Sequence, residues 1–153
     1  MNTLIVVVGP TGVGKTETCL RIAEHFKVPI INADSRQLFK ELPIGTAAPT
    51  LDEQARVKHY FVGTHHIGDY YSAALFENDV MQLLSCMFAS EGSKGLALMS
   101  GGSMMYVDAV CNGIDAIPTI DGETRQAVKK EFELNGLDFL LERLKELDPD
   151  YYS

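Results

Sequence analysis

Apolar positions along the chain follow two periods. Leu4 to Val8 is an unbroken, β-branched run, the form of a parallel strand covered on both faces. Gly9 to Gly14 is a glycine-rich turn, and from Lys15 to Phe26 the residues Cys19, Leu20, Ile22, Ala23 and Phe26 recur at helical spacing. Val28 to Ala33 reads as a second strand that ends at Asp34. Strand, helix, strand in this order predicts a parallel sheet flanked by helices. Leu42 to Tyr71 is broken by Gly and Pro and reads as loop with short strand. Leu75 to Phe88 repeats apolar residues at helical spacing behind a possible Ser72 cap. Gly95 to Met99 is another buried strand, Met104 to Val110 a helix closed by Asn112-Gly113, and Ile117-Pro118 a turn. Beyond it, Asp121 to Leu134 and Leu137 to Leu147 read as two charged amphipathic helices separated by Asn135-Gly136, and Asp148 to Ser153 as a tail with no tidy end.

Composition narrows the class. The 153 residues suit one domain, and 46% hydrophobic with 22% charged residues excludes disorder and coiled coil. No apolar run nears the roughly 18 residues of a membrane span, and the N-terminus lacks the basic start of a signal peptide, so a cytoplasmic protein is expected. A net charge of −8 is unsuited to gripping a polyanion non-specifically, so any nucleic-acid role needs a local basic site. Cys19, Cys86 and Cys111 are odd in number and widely spaced, which points to three buried thiols. His25, His59, His65 and His66 read as structural or exposed, and Met104-Met105 as helix packing.

Gly9-Pro10-Thr11-Gly12-Val13-Gly14-Lys15-Thr16 satisfies G-x-x-x-x-G-K-[ST] between a strand and a helix. In such a loop the backbone N–H groups cradle an oxyanion at a helix N-terminus. Lys15 would neutralise the outer phosphates, and the Thr16 hydroxyl would ligate Mg²⁺. Many chemistries share the loop. In many relatives of this fold a later strand ends in a Mg²⁺-binding Asp, whereas here it ends in Ser100-Gly101-Gly102. Asp34, at the end of the second strand, faces the ligand crevice instead. This suits a kinase-like or transferase-like protein. A turn or helix cap shared with Ser35 is the plainer role for Asp34.

The P-loop, Asp34-Ser35-Arg36-Gln37, Ile44-Gly45-Thr46-Ala47, Tyr71-Ser72-Ala73 and Gly101-Gly102-Ser103 with Tyr106 together resemble the tRNA dimethylallyltransferase family. The five blocks span most of the first 110 residues. The resemblance implies an α/β, P-loop NTPase-like core over residues 1–113 and the beginning of a helical insertion domain over 114–153. It implies transfer of a dimethylallyl group from dimethylallyl diphosphate to N6 of the adenine 3′-adjacent to the tRNA anticodon. Lys15 and Thr16, with Mg²⁺, would stabilise the departing diphosphate, and Asp34 would act as general base. Ser35, Arg36 and Gln37 would contact the flipped-out adenine and its neighbours. Ser103 stands where the family usually has Thr, within reach of a phosphate or ribose, and Arg125 matches a tRNA-contacting position.

Phe39, Ala48 and Leu75 depart from the family's common Tyr, Lys and Asp without touching this chemistry. Family members run to about twice this length and are expected to act as monomers, with the rest of the core and a basic anticodon-arm region beyond Ser153. Two other readings share the loop and Asp34: a small-molecule or nucleoside kinase, and an isopentenyltransferase acting on free adenine nucleotides. A non-catalytic phosphate-binding fragment is a further alternative.

Overall fold

A computed structural model describes residues 1–10, 12–114 and 120–153. The chain divides into two compact units, Met1–Ile114 and Asp115–Ser153.

In the first unit, strands β1 (Thr3–Val8), β2 (Ile30–Asn32), β3 (His59–Tyr60) and β4 (Leu96–Gly101) form one parallel sheet in the order β1-β4-β2-β3. β4 is central, and Ala97 to Gly101 are all buried. β2 is shorter than the expected Val28–Ala33 run. The Val28 N–H is already committed to Ala23 O and Pro29 has none, so pairing starts at Ile30. Helix α1 (Lys15–Phe26) buries Cys19, Leu20 and Ala23 against one face, with Ile30 and Leu98. The other face carries Ile31, Ala97 and Met99 under α3 (Ala73–Ala89) and α4 (Met104–Asn112).

The helix boundaries follow local chemistry. Ser72 accepts a hydrogen bond from Leu75 N at 3.3 Å, as its position in the sequence suggests. Inside the stretch read as loop lies a short helix, α2 (Leu51–Arg56), set by a capping box: Glu53 N donates to Thr50 Oγ1, and Thr50 N to Glu53 Oε2. Arg56 ties it to α1 through Glu17 and Glu24, an exposed arrangement worth little energy but fixing direction.

Two packing expectations fail. Cys19 is buried, but Cys86 and Cys111 are exposed. Each lies two residues past a buried position, Leu84 on α3 and Ala109 on α4, and two residues turn a helix through roughly 200°. Met104 and Met105 are likewise exposed, because α4 buries Tyr106 and Ala109. The histidines have local partners: His25 meets Phe26 edge-on, His59 pairs with Val57 O, His65 with the Thr64 hydroxyl and His66 with Glu41 at 2.6 Å. Burial of His59 lowers its pKa.

In the second unit, α5 (Gly122–Leu147) starts at Asp121, which accepts from Thr124 N at 2.6 Å. With a second bond from the Thr124 hydroxyl to Oδ2 at 3.0 Å, this holds the Asp121 carboxyl below its ordinary pKa. The helix is broken at Gly136 (φ 78°), where the two expected helices meet, and Arg143 pairs with Glu131 across the break. The tail is more ordered than the sequence suggests: Asp148 caps a last turn, α6 (Pro149–Tyr152). The Ile117-Pro118 turn lies outside the described residues. No helix among the described residues is long and apolar enough to cross a membrane.

Where β2 and β4 leave the sheet their backbones nearly touch. A Cβ built on Gly101 would lie 2.2 Å from both C and O of Ala33. Gly101→Ala is therefore expected to lower unfolding stability by about 3 kcal/mol or more, in the upper range of overpacked sites, as read from urea denaturation.

Candidate functional site

The C-terminal ends of β1, β4 and β2 open into a cleft of about 450 Å³, the place where a parallel α/β sheet binds its ligand. Three segments build it. The first is the loop after β1, represented by Gly12, Gly14, Lys15 and Thr16; Thr11 lies outside the described residues. Gly14 occupies the N-cap of α1 with φ 85°, a left-handed conformation that lets the loop turn directly into the helix. Thr16 is exposed in the first turn of α1, where the helix dipole is positive. Lys15 folds back and donates from Nζ to Pro10 O at 2.6 Å, so its ammonium lies across its own loop. Gly9, Pro10 and Val13 complete the loop. Val13 is 60% exposed, so that position is a spacer rather than a packing site.

The second segment is the turn after β2. Asp34 is half-buried and lines the cleft with the loop. Its Oδ1 accepts from Arg36 N at 3.1 Å, so the plain turn-capping role is present, while Oδ2 lies 3.3 Å from where a Cβ on Gly102 would stand. Glycine at 102 thus leaves room for this carboxylate. Ser35 and Ser103 bond each other: Ser35 N donates to Ser103 Oγ at 2.8 Å, and Ser103 Oγ donates to Ser35 Oγ at 2.9 Å. Ser103 N also donates to Ala33 O. These hydroxyls fix the Asp34 turn to the start of α4. Arg36 is exposed at the turn, outside the residues that line the cleft.

Gln37 joins the second segment to the third. Its Nε2 donates to Thr46 O at 3.0 Å and to Ala47 O at 3.2 Å, holding residues 46 and 47 as a wall of the cleft. The wall is a contribution that sequence reasoning missed. Its signal was present in Ile44-Gly45-Thr46-Ala47, a block whose one polar side chain, Thr46, donates to Leu42 O at 2.6 Å. Cys19 and Ser100 form the floor and were also missed. Burial pushes the Cys19 thiol up, with Ser100 and Lys15 pulling the other way.

Other singled-out residues lie elsewhere. Tyr71 donates to Asp79 Oδ2 at 2.7 Å and packs 4.2 Å from the His65 ring, while Tyr106 stacks on Phe76 at 4.6 Å. Burial and the neighbouring Asp79 raise the Tyr71 hydroxyl far above its ordinary pKa. These tyrosines support the helices rather than line the cleft. Arg125 belongs to the second unit, in the first turn of α5. A larger hollow, about 730 Å³, lies at the opposite end of the strands. The carbonyl end of α1 lies there, with Lys94 donating to Phe26 O at 3.1 Å, while Arg56 pairs with Glu17 and Glu24 and Lys58 lies over the Tyr60 ring.

Because Ser103 Oγ satisfies both the N–H and the hydroxyl of Ser35, Ser103→Ala is expected to destabilise the first unit by about 1–2 kcal/mol in urea denaturation, with Ser103→Thr close to neutral.

Known proteins are similar to this chain along nearly its whole length. A family described as IPP transferase matches residues 37–153. The tRNA dimethylallyltransferase 1 of Bacteroides thetaiotaomicron is 57% identical over 152 residues, covering 99% of this chain and 48% of the relative. That of Bacteroides fragilis is 58% identical over 152 residues, with 99% and 50% covered. The solved full-length tRNA isopentenylpyrophosphate transferase of Bacillus halodurans has a TM-score of 0.69 at 27% identity, covering 99% of this chain and 50% of that one. A eukaryotic dimethylallyltransferase captured acting on tRNA has a TM-score of 0.79 at 26% identity, covering 99% and 37%. The chain spans about half the length of the curated relatives it matches. Identity of this extent along nearly the whole chain, on the same parallel sheet, is decisive: the chain belongs to the IPP transferase family.

Proposed function

We propose that this protein carries the donor half of a tRNA dimethylallyltransferase site, moving a dimethylallyl group from dimethylallyl diphosphate to N6 of the adenine 3′-adjacent to the anticodon. The observation that carries this reading is the cleft itself, which is lined both by the glycine-rich loop and by Asp34. The names of the relatives support the same chemistry, one of them having been captured acting on tRNA.

In this reading the diphosphate lies along the loop from Gly9 through Thr16, taking backbone N–H groups and the positive end of α1. Lys15 exchanges the Pro10 carbonyl for a phosphate oxygen. The Thr16 hydroxyl, exposed in the first turn of α1, is a hard oxygen donor that suits Mg²⁺ shared with substrate phosphates. Bound there, Mg²⁺ would neutralise charge on the leaving group.

The N6 lone pair forms a bond to C1 of the dimethylallyl group. The C1–O bond breaks, and its electron pair leaves with the diphosphate. Asp34 accepts the N6 proton. The turn formed by Arg36 N, Ser35 and Ser103 holds that carboxylate in place. Arg36 supplies an exposed cation for the tRNA backbone beside the flipped adenine, Gln37 holds the wall against which that base rests, and Arg125 adds a second tRNA contact.

Calorimetric titration of the chain with dimethylallyl diphosphate and with ATP, each with Mg²⁺, is expected to show tighter binding of the prenyl diphosphate. Preference for ATP would instead identify a kinase-type site. Asp34→Ala is expected to leave prenyl diphosphate affinity within about twofold while slowing transfer to an anticodon stem-loop RNA by ~10²-fold or more. Equal losses in affinity and rate would make Asp34 a binding residue.

A further inference from the structure

Among the described residues only Asn32 and Ser100 are buried polar residues, and both line the cleft. A buried amide needs a partner, and that of Asn32 lies outside the cleft. Its Nδ2 donates to Phe61 O at 3.1 Å. β2 and β3 pair only through Ile30↔His59 and Ile31↔Tyr60, so this side-chain bond stands where the next rung of the ladder would. The rung is missing because Phe61 turns away with φ 61°, a left-handed conformation that is costly for a bulky residue. Its ring meets Phe76 edge-on at 5.2 Å. The Asn32 amide and that ring contact hold the turn between them.

The turn leads back to the cleft. Two residues on, Gly63 N donates to Gln37 O at 2.9 Å, and His65 N donates to Leu38 O at 3.0 Å. Gln37 N donates to Asp34 O at 3.2 Å, so Gln37 is tied to the Asp34 turn on one side and to Gly63 on the other. Its side chain then holds Thr46 O and Ala47 O. Ala47 has φ 51°. Of the three non-glycine residues with positive φ among the described residues, two, Phe61 and Ala47, thus stand at the ends of this one path. Such residues persist only where their surroundings over-determine them, and they cluster at ligand sites. Asp34 has a separate anchor, because Ala33 N and O bond to Ser100 O and Ser103 N. The carboxylate therefore stays placed when the Phe61 turn is lost, whereas the wall loses one of its two ties.

We propose that Asn32 is a positioning residue for the wall of the cleft: by holding Phe61 in its left-handed turn it sets, through Gly63 and Gln37, where Thr46 and Ala47 stand. What the wall receives rests on the transferase reading, in which the acceptor adenine lies against it. The bond from Asn32 to Phe61 and its effect on the wall do not.

Residue-resolved amide exchange and transfer kinetics test the two halves separately. In the unaltered chain, the slower Asn32 side-chain amide proton is expected to exchange at least ~10-fold more slowly than those of the exposed Asn2. In Asn32→Ala the backbone amides of Gly63 and Ala47 are expected to exchange at least ~10-fold faster, with that of Ala33 within about twofold. The same variant is expected to raise KM for an anticodon stem-loop RNA ~10-fold, with kcat within about threefold and prenyl diphosphate affinity within about twofold. Gln37→Met cuts the tether of the wall directly, so adding Asn32→Ala to it is expected to raise KM no further. A direct contact between Asn32 and substrate would instead make the two effects multiply. Unprotected Asn32 amide protons overturn the proposal even where the variant fails to fold. So does unchanged exchange at Gly63 and Ala47 in the folded variant, a fall in kcat with KM unchanged, or multiplied effects in the double variant. If the unaltered protein transfers nothing, the transferase reading fails, and the exchange pattern still decides whether Asn32 holds the wall.

Discussion

The cleft depends on how closely two backbones approach where β2 and β4 leave the sheet. With no side chain at Gly101, Ala33 can lie against β4, and Ala33 N and O bond to Ser100 O and Ser103 N. That contact fixes where the chain turns after β2, and so where Asp34 stands relative to the loop after β1. The Ser35–Ser103 hydroxyl pair continues the same seam by one residue, and the space at Gly102 leaves the carboxylate uncrowded. Side chains usually named as functional are thus placed by backbone groups and by the absence of Cβ atoms.

Electrostatics then divides the surface by position rather than by net charge. A chain of −8 still presents a locally positive pocket, because the loop, the α1 N-terminus and Lys15 converge in one small volume. Lys15 Nζ donates to the Pro10 carbonyl, an uncharged partner that a phosphate oxygen outcompetes on charge alone. At the other end of the sheet the larger hollow meets the C-terminus of α1, where Lys94 donates to Phe26 O. Size does not locate the chemistry here; the direction of the strands does.

The sequence made most of this legible where one signal decided the structure. The β-branched run of β1, the Ser72 cap, the Asn112-Gly113 stop and the Gly136 break are local, and each appears as expected. Gly12, Gly14, Lys15, Thr16 and Asp34 were singled out from the sequence, and the parallel sheet brings these five into one cleft. What was not legible depended on distant partners. Ser103 and Gln37 read as ligand contacts, and the sequence did not reveal that Ser103 Oγ also bonds Ser35 or that Gln37 Nε2 donates to the Thr46 and Ala47 carbonyls. The cysteines failed because apolar surroundings in sequence do not reveal which side of a helix faces the core. Helix α2 was missed although Thr50-Leu51-Asp52-Glu53 carries the capping box, because the neighbouring Gly and Pro residues drew attention to loop.

The pairing of Thr3 with Leu96 also sets the order in which the protein can be made. β1 leaves the ribosome first, yet its central neighbour is encoded at the far end of the first unit. At about 5–20 residues per second, the most apolar strand of the chain waits on the order of 5 to 20 seconds for the strand that covers it. During that interval its pairing with β4 is not available, and helix α1, which packs with Ile5 and Val7, is the element at hand to shield them. The topology that builds a phosphate cleft from distant segments therefore makes the nascent chain dependent on early helix formation, or on a chaperone, to keep its first strand from misassembly.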